Sequence, residues 1–197
     1  MQPELVLASG SPRRRELLAL YGVDFRVQTS QVDETIDHSL PPGKIVEELA
    51  LRKARAVAAA CDHALVIGAD TVVVYGGEIL GKPCDEDEAK KMLSRLQGRD
   101  HQVYSGIALV RVQAGEKVEE KTAHRATKVW MRSLSPEKIA WYVSTKEPLD
   151  KAGAYGIQGR GARLVDKIEG CYFNVVGMSL SLLDQMLEEI GYSTLGD

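Results

Sequence analysis

Cysteine is scarce in this sequence, and its spacing argues against cysteine-based sites. The 197 residues contain three cysteines, an odd number. Cys61, Cys84 and Cys171 lie far apart, without the C-x-x-C spacing of zinc ligands or redox pairs. We therefore expect reduced thiols rather than a disulfide framework.

Long hydrophobic runs are also missing. Apolar runs such as residues 64–67 (ALVI) fall far short of the roughly 20 residues that cross a bilayer. Residues 1–4 (MQPE) lack the basic start and apolar centre of a secretory signal. We expect a cytoplasmic protein without a membrane partner.

The sequence has no surplus of positive charge. It holds 25 Lys and Arg against 28 Asp and Glu, a net charge of -3. A broadly basic nucleic-acid-binding domain would have the opposite sign, so no nucleic acid partner is expected. A local basic cleft that attracts an anionic substrate remains compatible with this balance.

Residues 9–14 (SGSPRR) are the most informative segment that is present. They follow a short apolar strand at residues 5–8. Pro12 suits the first position of a helix, and Ser11 suits its N-cap. Because a helix start and arginines both attract anions, Arg13 and Arg14 predict a phosphate site. The alternative is a capped helix with solvated arginines.

Asp70 lies in a run, residues 65–74, that otherwise predicts a buried strand. A carboxylate there needs a cation, a metal ion or the edge of a cleft. With Glu34 or Asp33 it can hold a hard divalent cation through oxygen ligands. A hairpin turn at residues 76–77 can return Lys82 towards Asp70. A structural ion pair, or simply the end of the strand, is the alternative.

Glycines crowd residues 150–159 (DKAGAYGIQG) and allow close backbone approach to a ligand. Gln158 offers a donor and an acceptor together, as the edge of a nucleobase requires. An irregular structural loop is an equal alternative. The P-loop motif and the dinucleotide-binding motif are both absent.

Strand-like and helical segments alternate along the chain, with long hairpins between some of them. This order predicts an α/β fold in one domain, residues 1–197, with a mixed sheet and flanking helices. Strands are expected at 5–8, 25–29, 64–75, 78–80, 101–112, 121–132 and 171–176. Helices are expected from Pro12 onwards and at 43–60, 85–96, 135–144 and 179–190.

Together and in this order, these motifs resemble the Maf family of nucleoside triphosphate pyrophosphatases. The matching segments are 8–14 (ASGSPRR), 53–55 (KAR), 68–73 (GADTVV), 81–83 (GKP), 150–159 (DKAGAYGIQG) and 168–177 (IEGCYFNVVG). The glycine loop with Gln158 looks like the dTTP/UTP branch. Arg52 stands where an acidic residue is common, a difference that we consider peripheral.

The resemblance implies an inosine-triphosphate-pyrophosphatase-like (Maf/Ham1) fold with a deep cleft between two lobes. It also implies hydrolysis of dTTP and UTP to the monophosphate and pyrophosphate, with modified pyrimidine nucleotides as further candidate substrates. A divalent cation, Mg²⁺ or Mn²⁺, is the implied cofactor. Family members are linked to inhibition of septum formation when overproduced, and a homodimer is the common case for soluble oligomers.

The resemblance also implies roles for individual residues. Asp70 would be the general base, and Asp70 and Glu34 would hold the metal. Glu34 and Lys82 would assist catalysis. The residues implied to contact substrate are Ser9, Arg13, Arg14, Lys53, Thr71 and Gln158. A different function, a nucleotide-binding regulator of cell division that needs no catalysis, fits the same residues.

Overall fold

The computed structural model describes residues 2–29 and 31–194. The strands are β1 (Glu4–Ala8), β2 (Arg26–Val27), β3 (His63–Tyr75), β4 (Glu78–Leu80), β5 (Asp100–Gln113), β6 (Glu116–Met131) and β7 (Val165–Glu169). The α-helices are α1 (Pro12–Ala19), α2 (Pro42–Ala58), α3 (Glu86–Leu96), α4 (Pro136–Ser144), α5 (Tyr172–Val176) and α6 (Leu180–Glu189). Short 3₁₀ helices lie at Glu147–Asp150, Ala152–Ala154 and Gly159–Leu164.

The strands form a mixed sheet in the order β2-β1-β3-β5-β6-β7, with β4 paired to β3. β1 runs parallel to β2 and β3. β4 is antiparallel to β3, and β7 is antiparallel to β6. The predicted α/β fold with a mixed sheet and flanking helices is confirmed. No helix within the described ranges is long and apolar enough to cross a membrane.

The chain divides into two units. The first comprises the described residues within 1–70, 105–125 and 177–197, and the second comprises 71–104 and 126–176. The deep cleft that the family resemblance implies stays a prediction.

Helix α2 packs closely against two strands in the first unit. Its apolar residues recur every three or four positions, and they are buried. Glycines at the contact leave room for its backbone. A Cβ on Gly68 of β3 would lie 2.1 Å from the carbonyl oxygen of Ala50, and one on Gly106 of β5 would lie 2.4 Å from that of Val46. Glycine at these two positions therefore allows α2 to lie this close to the sheet, and a larger residue would push it away.

The core of the second unit is formed by α3, α4 and the strand segments beneath them. The segment 85–88 starts α3 with Asp85 as its N-cap, in a variant of the capping box whose second bond goes to the residue before the cap. The Asp85 carboxylate accepts a hydrogen bond from the Glu88 amide at 2.8 Å, and the Glu88 carboxylate accepts one from the Cys84 amide at 2.6 Å. The cap fixes the start of α3, and its Asp85 lies three residues after Lys82.

One predicted strand is wrong. Within the predicted strand 171–176, residues Tyr172–Val176 form helix α5 instead, and the strand, β7, comes before it. A short apolar run does not distinguish a strand from a helical turn. The segment is held by tertiary contacts, because the buried Asn174 amide donates to the Val103 carbonyl oxygen at 3.0 Å and to Thr127 Oγ1 at 3.1 Å.

His101 is a buried titratable group in the second unit. Its Nε2 lies 2.6 Å from the Tyr155 hydroxyl oxygen. Burial lowers the pKa of His101 from 6.5 to about 4, against the opposing charge of Asp100. The unfolded chain therefore takes up this proton at a higher pH than the folded protein. We expect the free energy of unfolding to fall as the pH drops from about 6.5 to 4.

Urea unfolding at several pH values between 7 and 4.5 measures this effect. One proton contributes at most about 1.4 kcal/mol per pH unit, and we expect His101→Phe to remove most of that slope. The comparison is between slopes, because the variant also loses its contact with Tyr155. Identical slopes in the wild-type protein and the variant would show that His101 is not the source of this pH dependence.

Candidate functional site

Asp70, Lys53 and Glu34 form a chain of charges in the first unit. The Lys53 ammonium lies 2.6 Å from Asp70 Oδ1 and 2.7 Å from Glu34 Oε1. The Asp70 and Lys53 side chains are only 12% and 13% exposed, whereas Glu34 is 56% exposed. The buried carboxylate therefore has its cation, and that cation comes from α2. Two carboxylates share one ammonium group, so the three side chains together are anionic.

The segment before α1 supplies a second cluster in the same unit. Arg14 Nη1 donates to Ser9 Oγ at 3.3 Å, and its Nε donates to the Gly177 carbonyl oxygen at 3.0 Å. Burial lowers the pKa of Arg14, whereas the negative charge of Asp70 raises it. The guanidinium therefore lies within electrostatic range of the Asp70 carboxylate. Arg13 is half-buried beside it in the first turn of α1.

The cap expected at Ser11 differs in detail. Ser11 is the N-cap residue of α1 and Pro12 follows it, but the Ser11 side chain accepts no capping hydrogen bond. The hydroxyl oxygen of Ser9 accepts one from the Ser11 amide instead, at 3.3 Å. Ser9 is therefore the residue that shapes this turn.

Arg52 has a clear contact that the sequence did not indicate. Its Nη1 donates to the carbonyl oxygens of Thr35 at 2.7 Å and of Asp33 at 3.3 Å, on either side of Glu34. The Asp33 carboxylate also accepts from the Thr35 amide at 2.8 Å. These bonds hold the loop that presents Glu34 to Lys53. Whether the difference from the family pattern at Arg52 is peripheral to function stays a prediction.

The other predicted site residues lie in the second unit. Thr71 follows Asp70 on β3 and is half-buried, Lys82 is exposed between β4 and α3, and Gln158 is half-buried before the last 3₁₀ helix. The Gly153 amide donates to the Gly81 carbonyl oxygen at 3.0 Å. This bond ties the glycine loop to the turn that carries Lys82.

Asp70 and Glu34 have the donor atoms that suit Mg²⁺ or Mn²⁺. Their carboxylate oxygens already meet at one cationic atom, Lys53 Nζ. Mg²⁺ is commonly held by one or two carboxylates, with water and substrate phosphates completing the shell. The residues therefore fit the implied ion as a site shared with substrate. Within residues 2–29 and 31–194 there is no group of three or more His, Cys, Asp or Glu placed to hold a metal.

Comparison with known proteins decides the family. The sequence profile of the family described as "Maf-like protein" matches residues 4–190. The chain belongs to the Maf family. A "dTTP/UTP pyrophosphatase" of Symbiobacterium thermophilum is 55% identical over 189 residues, which is 96% of this chain and 95% of that protein. One from Pelotomaculum thermopropionicum is 52% identical over 192 residues, 98% and 99% of the two chains.

Solved structures give a weaker likeness. The Staphylococcus aureus Ham1 protein has a TM-score of 0.49 and 18% identity, over 95% of this chain and 99% of that one.

Membership of the Maf family, predicted from the ordered motifs, is confirmed by the match over residues 4–190.

Proposed function

We propose that this protein hydrolyses dTTP and UTP between the α- and β-phosphates, giving the nucleoside monophosphate and pyrophosphate. Relatives with this name share about half of its residues over nearly its whole length. The observation that carries the proposal is the buried Asp70 carboxylate, paired with Lys53 and within electrostatic range of Arg14. A triphosphate needs fixed positive groups, and its hydrolysis needs a held water.

Asp70 is the general base in this proposal. It takes a proton from a water molecule whose oxygen attacks the α-phosphorus. The bond between that phosphorus and the oxygen bridging to the β-phosphorus breaks, and its electron pair leaves with pyrophosphate. A divalent cation held by Asp70 and Glu34 would supply positive charge to the phosphate oxygens.

The cationic side chains bind the phosphates. Lys53 is a compact ammonium held by two carboxylates, so phosphate oxygens can take the place of one of them. Arg14 is fixed by Ser9 and by the Gly177 carbonyl oxygen, which leaves it preorganised for an anion. Arg13 and Lys82 add further charge, and Thr71 and Gln158 contribute to the choice of nucleotide. We place the protein in the cytoplasm, where its nucleotide substrates are.

The position of the broken bond tests the proposal. We expect the protein with dTTP or UTP and Mg²⁺ to release pyrophosphate as the first phosphorus product, without added pyrophosphatase. In ¹⁸O-water the label should enter the monophosphate, because attack falls on the α-phosphorus. Release of orthophosphate together with the nucleoside diphosphate would contradict the proposal. A preparation of the Asp70→Asn variant controls for contaminating phosphatases.

A further inference from the structure

Glu147 binds the backbone of the glycine loop in the second unit. Its Oε1 accepts hydrogen bonds from the Gly161 amide at 2.9 Å and from the Tyr142 hydroxyl at 3.0 Å. Its Oε2 accepts one from the Arg160 amide at 3.1 Å. Burial raises the pKa of Glu147, but the hydrogen bonds from the Gly161 and Arg160 amides outweigh it and hold that pKa below its usual value. Both carboxylate oxygens are therefore committed to this loop.

Tyr142 holds the other side of the same loop. It is fully buried in α4, and its hydroxyl oxygen accepts a hydrogen bond from the Gly156 amide at 3.2 Å. The hydroxyl thus donates to Glu147 and accepts from Gly156. Gln158 lies between the two attached stretches, two residues after Gly156 and two before Arg160.

Close packing leaves this turn little freedom. A Cβ on Gly161 would lie 2.3 Å from the Gly156 carbonyl oxygen and 2.5 Å from the Tyr142 hydroxyl. Gly159 has a φ of +62°, and a Cβ there would lie 3.1 Å from Glu147 Oε2. The chain between residues 156 and 161 therefore closes around the Tyr142–Glu147 pair.

We propose that Glu147 and Tyr142 are positioning residues for base selection, fixing the 156–161 turn so that Gln158 meets the edge of a uracil or thymine base. Such bases present an N3–H donor beside an O4 acceptor. A fixed carboxamide offers the complementary acceptor and donor. Cytosine has an acceptor at N3 and a donor at N4, so the same fixed amide is mismatched to it. This inference rests on the proposed function and adds the device that sets its selectivity.

The test compares UTP with CTP in the Glu147→Gln variant. Glutamine has the same shape, but its NH₂ group meets a backbone N–H donor where the carboxylate offered an acceptor. We expect the ratio of kcat/KM for UTP over CTP to fall at least about tenfold, a loss of about 1.4 kcal/mol of discrimination. The loss should fall mainly on the KM for UTP, with kcat at saturation changed less than about threefold.

Two further variants keep the test decisive. Glu86→Gln removes an exposed carboxylate that pairs with Lys146 outside this loop, and it should keep the UTP preference. Tyr142→Phe removes the hydroxyl but keeps the ring, so it should lower the ratio in the same direction even if Glu147→Gln folds poorly. Thermal melting identifies which variants are folded. An unchanged ratio in both folded loop variants, or equal losses on UTP and CTP, would overturn the inference.

Gln158→Ala separates failure of this inference from failure of the proposed function. Loss of the UTP preference in Gln158→Ala, together with its loss in Glu147→Gln, supports positioning through Gln158. If Gln158→Ala keeps the preference, Gln158 does not select the base and the inference is wrong, although the hydrolysis stands. If the wild-type protein releases no pyrophosphate from either nucleotide, the proposed function itself is wrong.

Discussion

Replacing Asp70 by Asn should lower kcat for dTTP and UTP by about 10²–10⁴-fold, the usual contribution of a general base. Asparagine keeps the size of the side chain and an oxygen that can accept from Lys53 at the present 2.6 Å contact. It cannot take a proton from water. We therefore expect a folded protein that binds nucleotide but turns over slowly.

Steady-state kinetics with direct pyrophosphate detection measures the fall in kcat, and calorimetry measures whether the variant still binds nucleotide. Asp37→Asn is a matched control, because Asp37 is an exposed carboxylate in the same unit that accepts a hydrogen bond from the Ser39 amide. It should keep wild-type turnover. A folded Asp70→Asn protein with wild-type kcat would remove Asp70 from the role of base.

The same variant separates the enzyme from the alternative of a division regulator. If the effect on septation requires hydrolysis, overproduced Asp70→Asn should leave cell length unchanged while the wild-type protein lengthens cells. Filamentation caused equally by both proteins would favour regulation by nucleotide binding alone. The implied link to septation stays a prediction until that comparison is made.

The sequence indicated Asp70 because a charge inside a β-branched, apolar run needs a physical reason. It did not identify the cation. The hairpin suggested Lys82, twelve residues further along the chain, and nothing in the sequence singled out Lys53 on α2 as the partner of Asp70. The contact with Lys53 depends on how far along β3 the helix α2 lies, and that register follows from packing in three dimensions. Periodicity within one segment carries no information about it.

Contacts made by loops are even harder to predict from the sequence than contacts between helices and strands. The sequence indicated no contact for Arg52, which lies in a basic segment of helix α2, and such segments are usually solvated. Its two carbonyl acceptors, on Asp33 and Thr35, belong to a loop with no regular pattern. Strand β7 was missed because it has five residues and a largely charged, exposed face. Segments that are shaped by tertiary hydrogen bonds leave little trace in local sequence.

Gly68→Ala should damage both stability and activity, because Gly68 is where α2 meets β3. The new Cβ would lie 2.1 Å from the backbone carbonyl oxygen of Ala50 and 3.0 Å from the Cβ of Ala54. A backbone atom cannot rotate away, so α2 or β3 must shift. Overpacking usually costs about 1–3 kcal/mol and sometimes more. Because the new Cβ meets a backbone atom rather than a flexible side chain, we expect the upper part of this range, a fall of about 3 kcal/mol or more in the free energy of unfolding.

The loss of activity follows from the same displacement. Lys53 is next to Ala54 on α2, and Asp70 lies two residues after Gly68 on β3, so raising the helix separates the 2.6 Å ion pair. Urea unfolding measures stability, and pyrophosphate release well below the melting temperature measures activity in the folded fraction. Gly81→Ala is the stability control, because a Cβ there meets nothing within 4 Å. A Gly68→Ala protein with wild-type stability and turnover would show that the closeness of α2 to β3 does not hold Lys53 on Asp70.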